Sequence, residues 1–226
     1  MDFKTTHERW SLADNWLKKI EKSYMKNDDI IESYTEYFLV ICRSIEDYVI
    51  NDFLETLEPK ILMSSRSEII LHKKQYREET KNLDHTEHQK IIDFLKFHNN
   101  EVNNFAKNPL VTYFRTLRNW TVHTIFPHIF ENKHGENDTI SERYFQRNFV
   151  NYLGLENSEG HLLLENGFSL LLENSDDDSI FDNPPLSKLE ESEKSVLKTT
   201  LETKEAKDLL NEYLTLIKQF IKKFES

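Results

Sequence analysis

Backbone breakers are scarce in this chain: 4 glycines and 5 prolines in 226 residues. So few turn-forming residues weigh against a sandwich or barrel and favour long helices. A single cysteine, Cys42, excludes an intrachain disulfide. It stands among Phe38, Leu39, Ile41 and Ile45, where a thiol serves as a small core residue, and it lacks the electropositive setting of a catalytic thiol. No run of 18 apolar residues occurs, so no membrane span or membrane partner is expected. The stretch from Met1 to Arg9 is polar, unlike a secretory leader, and the expected location is a reducing cytoplasm. Glycine fingerprints of nucleotide-binding loops and the G-x-S-x-G nucleophile elbow are absent.

Positive charge is also in deficit. The net charge of -11 argues against a non-specific nucleic-acid coat. Yet Asp and Glu are missing altogether from Val102 to Phe130, a window that carries Lys107, Arg115, Arg118, His123 and His128. A local cationic surface of this kind can hold a phosphate, while the acidic remainder limits indiscriminate binding.

What is present supports a packed core: hydrophobic residues make up 38% and aromatics 12%. Helical periodicity predicts helices over Trp10–Met25, Ile30–Leu57, Ser64–Glu79 and Thr86–Phe105, then a helix opened by Asn108-Pro109, and a last one over Glu190–Phe224. Pro59 ends the second and Pro127 kinks or stops the fifth. Between the last two, Gly135–Asp138 reads as a polar turn, Tyr144–Leu153 as helix or strand, and Leu162–Leu172 as a β-hairpin around Asn166-Gly167. The acidic stretch Asn174–Pro185 reads as a loop. The expected fold is mainly α: one antiparallel helical bundle over residues 1–226, with residues 135–187 inserted before the last helix and carrying the hairpin and the acidic loop.

The helix after Pro109 holds the chemistry. Successive helical residues turn by about 100°, so Asn119 lies about 40° from Arg115, His123 about 80° and Arg118 about 60° on the other side. Leu110, Tyr113, Leu117 and Trp120 fall largely opposite, which predicts a buried face and an open face bearing Arg115, Arg118, Asn119 and His123. Arginine is a permanent cation matched to phosphate oxygens. Histidine exchanges a proton near neutral pH. Arg118 and His123 stand about 140° apart, so they flank a groove rather than form a tight pair, and a two-fold dimer would let two such helices build one cleft.

Arg118-Asn119 followed by His123, an R-N-x-x-x-H element on an amphipathic helix late in a helical chain, resembles the signature of the HEPN superfamily. The motif spans six residues, and elsewhere the resemblance is one of architecture. It implies a mostly helical, commonly dimeric protein, of a kind found as toxins, in phage defence and in RNA-guided CRISPR ribonucleases. It implies a metal-independent endoribonuclease, with no cofactor, in which His123 moves the proton of a ribose 2′-hydroxyl and Arg118 stabilises the scissile phosphate. Asn119 would fix the imidazole or hold a backbone group, Arg115 and Lys107 would add phosphate contacts, and Glu46 stands as an auxiliary acid. Products would carry a 2′,3′-cyclic phosphate and a 5′-hydroxyl. Expected partners are RNA, a second copy of the chain, and an antitoxin or defence-system protein. Some HEPN toxins carry a tyrosine two residues after the histidine, which an antitoxin modifies; Ile125 stands there and argues against that route. The alternative is a non-catalytic HEPN module that binds a partner protein, RNA or nucleotide through the same groove. A purely structural alternative makes Arg118 an exposed arginine bridging to Glu46 or Asp47 of the second helix and His123 a satisfied buried imidazole.

Other clusters carry less. His85 and His88 are spaced for one helical face but match no zinc pattern, and a solvated first turn explains them. Asp176-Asp177-Asp178 lacks calcium-loop spacing, and Trp10 and Trp16 read as core.

Overall fold

Apolar residues recurring every three or four positions wind into six helices among the residues described. The computed structural model describes residues 2–25, 28–56, 85–123, 129–145, 148–149, 161–163, 169–171, 178–179 and 186–225. The helices are α1 (Lys4–Ser23), α2 (Asp28–Glu55), α3 (His85–Phe105), α4 (Pro109–His123), α5 (Glu191–Thr203) and α6 (Ala206–Glu225). The helix expected over Ser64–Glu79, the stop at Pro59, the residues Ile125, Pro127 and His128, and the Asn166-Gly167 turn lie outside the described residues.

The molecule is mainly helical, and α1 runs antiparallel to α2 and to α6, as α2 does to α3. Thr6 meets Asp52, Arg9 lies over Tyr48 and Trp16 stacks on Tyr37, so α1 and α2 pair in opposite directions. His7 with Glu225 and Trp10 with the carbonyl of Leu214 set α6 against α1 in the same sense. Phe53 on Phe94 and Glu46 on His98 do so for α2 and α3. The main core joins α1, α2, α4 and α6 through residues such as Leu17, Phe38, Ile45, Phe114, Tyr213 and Ile217. The N-terminus of α1 has no side-chain cap of its own. Instead Asp52, buried in α2, accepts from both the backbone N–H and the hydroxyl of Thr6, each at 2.7 Å.

Three details differ from the sequence reading. First, α1 begins at Lys4, six residues ahead of Trp10, and Ile30 of the α2 stripe is exposed. Secondly, the expected last helix is two. It breaks at Lys204, whose backbone is extended (φ -102°, ψ 135°). Thr199, Thr200 and Thr203 each donate a hydroxyl to a carbonyl four residues back, a bond that bends helices, and α5 buries only Leu197 and Leu201. A capping box between Glu190 and Glu193 starts it.

Thirdly, β structure begins earlier than expected. β1 (Phe130–His134) and β2 (Ile140–Phe145) form an antiparallel hairpin, pairing Phe130 with Phe145 and Asn132 with Arg143. The polar turn expected over Gly135–Asp138 closes it, with Asn137 at φ 63°, a region Asn tolerates better than most residues. Short strands β3 (Asn148–Phe149) and β6 (Asp178–Ser179) pair, as do β4 (His161–Leu163) and β5 (Ser169–Leu171). The last pair joins the two apolar runs read into Leu162–Leu172, but Leu162 faces Leu170, whereas a two-residue turn at Asn166-Gly167 would set it opposite Leu171.

The first hairpin is pinned to the bundle. Arg143, fully buried, donates through Nε to the carbonyl of Tyr24 at 2.6 Å, and the Tyr24 hydroxyl donates to the carbonyl of Arg143 at 3.1 Å. Glu32 of α2 accepts from the N–H of Ile129 at 3.0 Å. These bonds fix the chain where it enters the hairpin.

Candidate functional site

Helix α4 starts on Asn108, whose Oδ1 accepts from the N–H groups of Leu110 (2.9 Å) and Val111 (3.4 Å), with Pro109 at the first helical position. Its first two turns are buried nearly all round: Leu110, Val111, Thr112, Tyr113, Phe114, Thr116 and Leu117. The buried hydroxyls are satisfied, Thr112 donating to Ala106 and Thr116 to Thr112. Phe114 stacks on Tyr213 and meets Phe145 edge-on, so α4 is clamped between α6 and the hairpin.

The open face foreseen for this helix is therefore narrower than the wheel suggests. Arg115 does not face solvent; its side chain is 13% exposed. Its Nη2 donates to Oε1 of Glu46 and its guanidinium lies over the ring of Phe105. The other oxygen of Glu46 accepts from Nη1 of Arg43. Glu46, 4% exposed, is thus a carboxylate shared by two guanidiniums. A buried charge is tolerated only when paired in this way.

One turn further along, Arg118 is half-buried. Its Nη1 donates to Oδ1 of Asn119 at 3.3 Å, and its Nε, like that of Arg115, is buried with no partner. Asn119 is exposed. The backbone of His123 closes α4, while its side chain, with those of Trp120 and Val122, lies outside the described ones. Lys107 is exposed at the opposite end of α4 and donates to Asn104 at 3.2 Å. Roughly 13 Å of helix separates that end from Arg118, so the two are not brought together.

Two members of this cluster escaped the sequence reading, Arg43 and His98, while Asp47 entered it as an ion-pair partner for Arg118. Asp47 is exposed, yet desolvation by its surroundings, reinforced by Glu46, raises its carboxyl above the ordinary range against the opposing pull of Arg43, His98 and Arg118. His98 is buried on α3, with Nε2 3.0 Å from the carbonyl oxygen of Glu46. A carbonyl only accepts, so Nε2 carries the proton. Nδ1 is left buried and unpartnered beside the rings of Phe94, Phe220 and Phe224. Burial, opposed by the nearby acids, lowers its pKa. A signal for His98 existed: Ile91, Phe94, His98, Val102 and Phe105 fall at helical spacing, which puts an imidazole in an apolar stripe. No such pattern marks Arg43 as a neighbour of α4.

Elsewhere the described residues offer little chemistry. Cys42 is free and buried, and burial pushes its thiol up, so it is unreactive. Trp10 and Trp16 pack against the core. His134 is exposed on β1; the side chains of His85 and His88 and the residues Asp176 and Asp177 lie outside the described ones. Among the described residues no group of three or more His, Cys, Asp or Glu is placed to hold a metal, and no helix is long and apolar enough to cross a membrane. A shallow depression of about 700 Å³ runs beside Lys4, His7, Glu8 and Arg9 on α1, and a smaller one of about 160 Å³ lies between Asn104, Phe105, Leu216 and Phe220. Neither is lined by Arg118. The first is largely one open helix face, so it cannot exclude water, and the guanidinium cluster is the better candidate.

What the arrangement offers is three guanidiniums, from Arg43, Arg115 and Arg118, against two carboxylates, from Glu46 and Asp47. One positive charge is left in excess on a protein whose net charge is -11. Searches of protein-family models, of curated proteins and of solved structures found no match to this chain.

Proposed function

We propose that the chain is a metal-independent endoribonuclease of the HEPN type, active as a homodimer and serving as a toxin or antiviral-defence effector in the cytoplasm. The observation that carries this reading is Arg118: a half-buried guanidinium with an unused buried donor, beside exposed Asn119, on the helix that His123 ends. A cation held out of bulk water interacts more strongly with an anion than one free in solution. In this reading His123 takes the proton of a ribose 2′-hydroxyl, and that oxygen attacks the adjacent phosphorus. The bond to the 5′-oxygen breaks, a proton is returned to it, and Arg118 holds the charge that grows on the phosphate. RNA is the substrate because the 2′-hydroxyl is the nucleophile.

A second reading rests on Glu46. Arg115 is neutralised there, which is the arrangement of a structural ion pair, and the chain would then be an interaction module that binds a partner through the same face. One assay separates the two. Wild-type protein in EDTA is expected to cut single-stranded RNA and leave 2′,3′-cyclic phosphate ends. His123→Ala and Arg118→Ala are each expected to lose at least about a hundredfold in rate, the usual worth of a proton-transfer group or a charge-stabilising donor. Equal cleavage by all three proteins refutes the assigned residues. No cleavage by any of them favours the interaction module.

A further inference from the structure

Glu46 and Asp47 are adjacent on α2 and differ in what they leave available. Glu46 is buried and both its oxygens are occupied. Arg115 meets Glu46 and, beyond the end of α4, Ile129 meets Glu32, so α2 and α4 pack antiparallel, and Arg43 and Arg118 each lie about one turn from the Glu46–Arg115 contact in the same direction. Asp47 is exposed, one helical turn after Arg43, and within reach of the charges of Arg43 and Arg118. Arg43 keeps 39% of its side chain in solvent and spends one of its five donors on Glu46. Arg118 spends Nη1 on its neighbour Asn119, a weak acceptor beside a phosphate. So α2 and α4 present two guanidiniums that are not saturated, with one accessible carboxylate within electrostatic reach of both. The free N–H groups of such guanidiniums suit the paired oxygens of a phosphate.

We propose that Arg43 and Arg118 form a seat for an RNA phosphate, and that the neighbouring carboxylate of Asp47 opposes its occupation by anions. The inference takes its ligand from the ribonuclease reading. It adds a residue from a different helix to the strand-binding surface, and it assigns Asp47 the role of weakening that surface toward anions. An acid in this position disfavours every polyanion, so only a strand also held elsewhere along the molecule keeps the seat.

The test is fluorescence anisotropy with a labelled 2′-O-methyl oligoribonucleotide, which has RNA phosphates but no 2′-hydroxyl to attack. Arg43→Ala is expected to weaken binding about tenfold and to flatten the log K against log salt slope by about 0.7, the signature of one lost phosphate contact on a single strand. Arg43→Lys is expected to keep that slope, because the charge remains. Asp47→Asn is expected to tighten binding about threefold or more, a gain that damage to the fold cannot imitate. Wild-type affinity in both Arg43→Ala and Asp47→Asn overturns the proposal, as does weaker binding by Asp47→Asn. Cleavage of unmodified RNA, followed in parallel, keeps the two ideas apart. Cleavage lost in His123→Ala, with binding indifferent to Arg43 and Asp47, sinks the seat and leaves the nuclease. Binding changes as expected without cleavage by wild type sink the nuclease and leave the seat.

Discussion

At His98 a neutral imidazole is held between the carbonyl of Glu46 and the rings of Phe94, Phe220 and Phe224. Protonation would place a second N–H and a charge at Nδ1, where nothing accepts. Burial therefore lowers the folded-state pKa, while in the unfolded chain an imidazole titrates near about 6.5. Below that pH the unfolded state takes up a proton that the fold refuses. The stability contributed by neutral His98 is thus fully present above the unfolded pKa and is lost as pH falls through it toward the folded one. Asp47 and Glu36, whose pKa values are raised chiefly by burial, act in the opposite direction, so the comparison with a variant isolates the imidazole. Urea midpoints measured at pH 7 and pH 5 are expected to fall for wild type more than for His98→Phe. Equal pH dependence in the two proteins would remove His98 from this account.

Among elements, α4 is positioned from both ends. Asn108 caps its start, and beyond its end the bonds from Glu32 to Ile129 and between Arg143 and Tyr24 pin the hairpin that follows. The helix therefore has little freedom to rotate, and the ordering of Arg115 toward α2 with Arg118 one turn on follows from that. Asn108→Ala removes the acceptor of two N–H groups and is expected to cost about 1 kcal/mol in urea unfolding, with Asn108→Ser restoring most of it. Under the ribonuclease reading the same variant is expected to lower the cleavage rate, because a helix that shifts at its start moves Arg118 at its other end. A stable, fully active Asn108→Ala protein would show that packing by Phe114 and Tyr113 suffices to orient α4.

For the whole molecule, the charge distribution matters more than its total. The acid-free run through α4 packs against the acids of α2, where Glu46 and Asp47 answer two of the three arginines gathered there. A single excess charge on one chain is a weak anchor for RNA, and a two-fold pairing that brings two such clusters together doubles it. Under the ribonuclease reading, light scattering is accordingly expected to give the mass of two chains, and cleavage per chain is expected to fall when the protein is diluted below the dissociation constant of that dimer. A monomer that cleaves at undiminished rate would place the whole reaction within one subunit.

Helix class, the helix start at Asn108-Pro109, the antiparallel pairing of the two apolar runs within Leu162–Leu172 and the core position of Cys42 were all legible along the chain, though not the register of that pairing. Each depends on neighbours within a few residues, and periodicity and turn chemistry record those directly. The break at Lys204 was not, because the threonine back-bonds that weaken α5 compete with a periodic pattern that continues across it. Nor was the hairpin at Phe130–Phe145, whose hold on the bundle is a buried arginine bonded to Tyr24, 119 residues away in sequence. The pairing at the candidate site belongs to the same class. Arg115 lies 69 residues from Glu46, and His98 lies 52 from it. Sequence placed Arg115 on an arc of its own helix; only the packing of α2 against α4 decided that this arc faces a buried carboxylate, because the partner of a charge is settled by which helices touch and no local spacing carries that information.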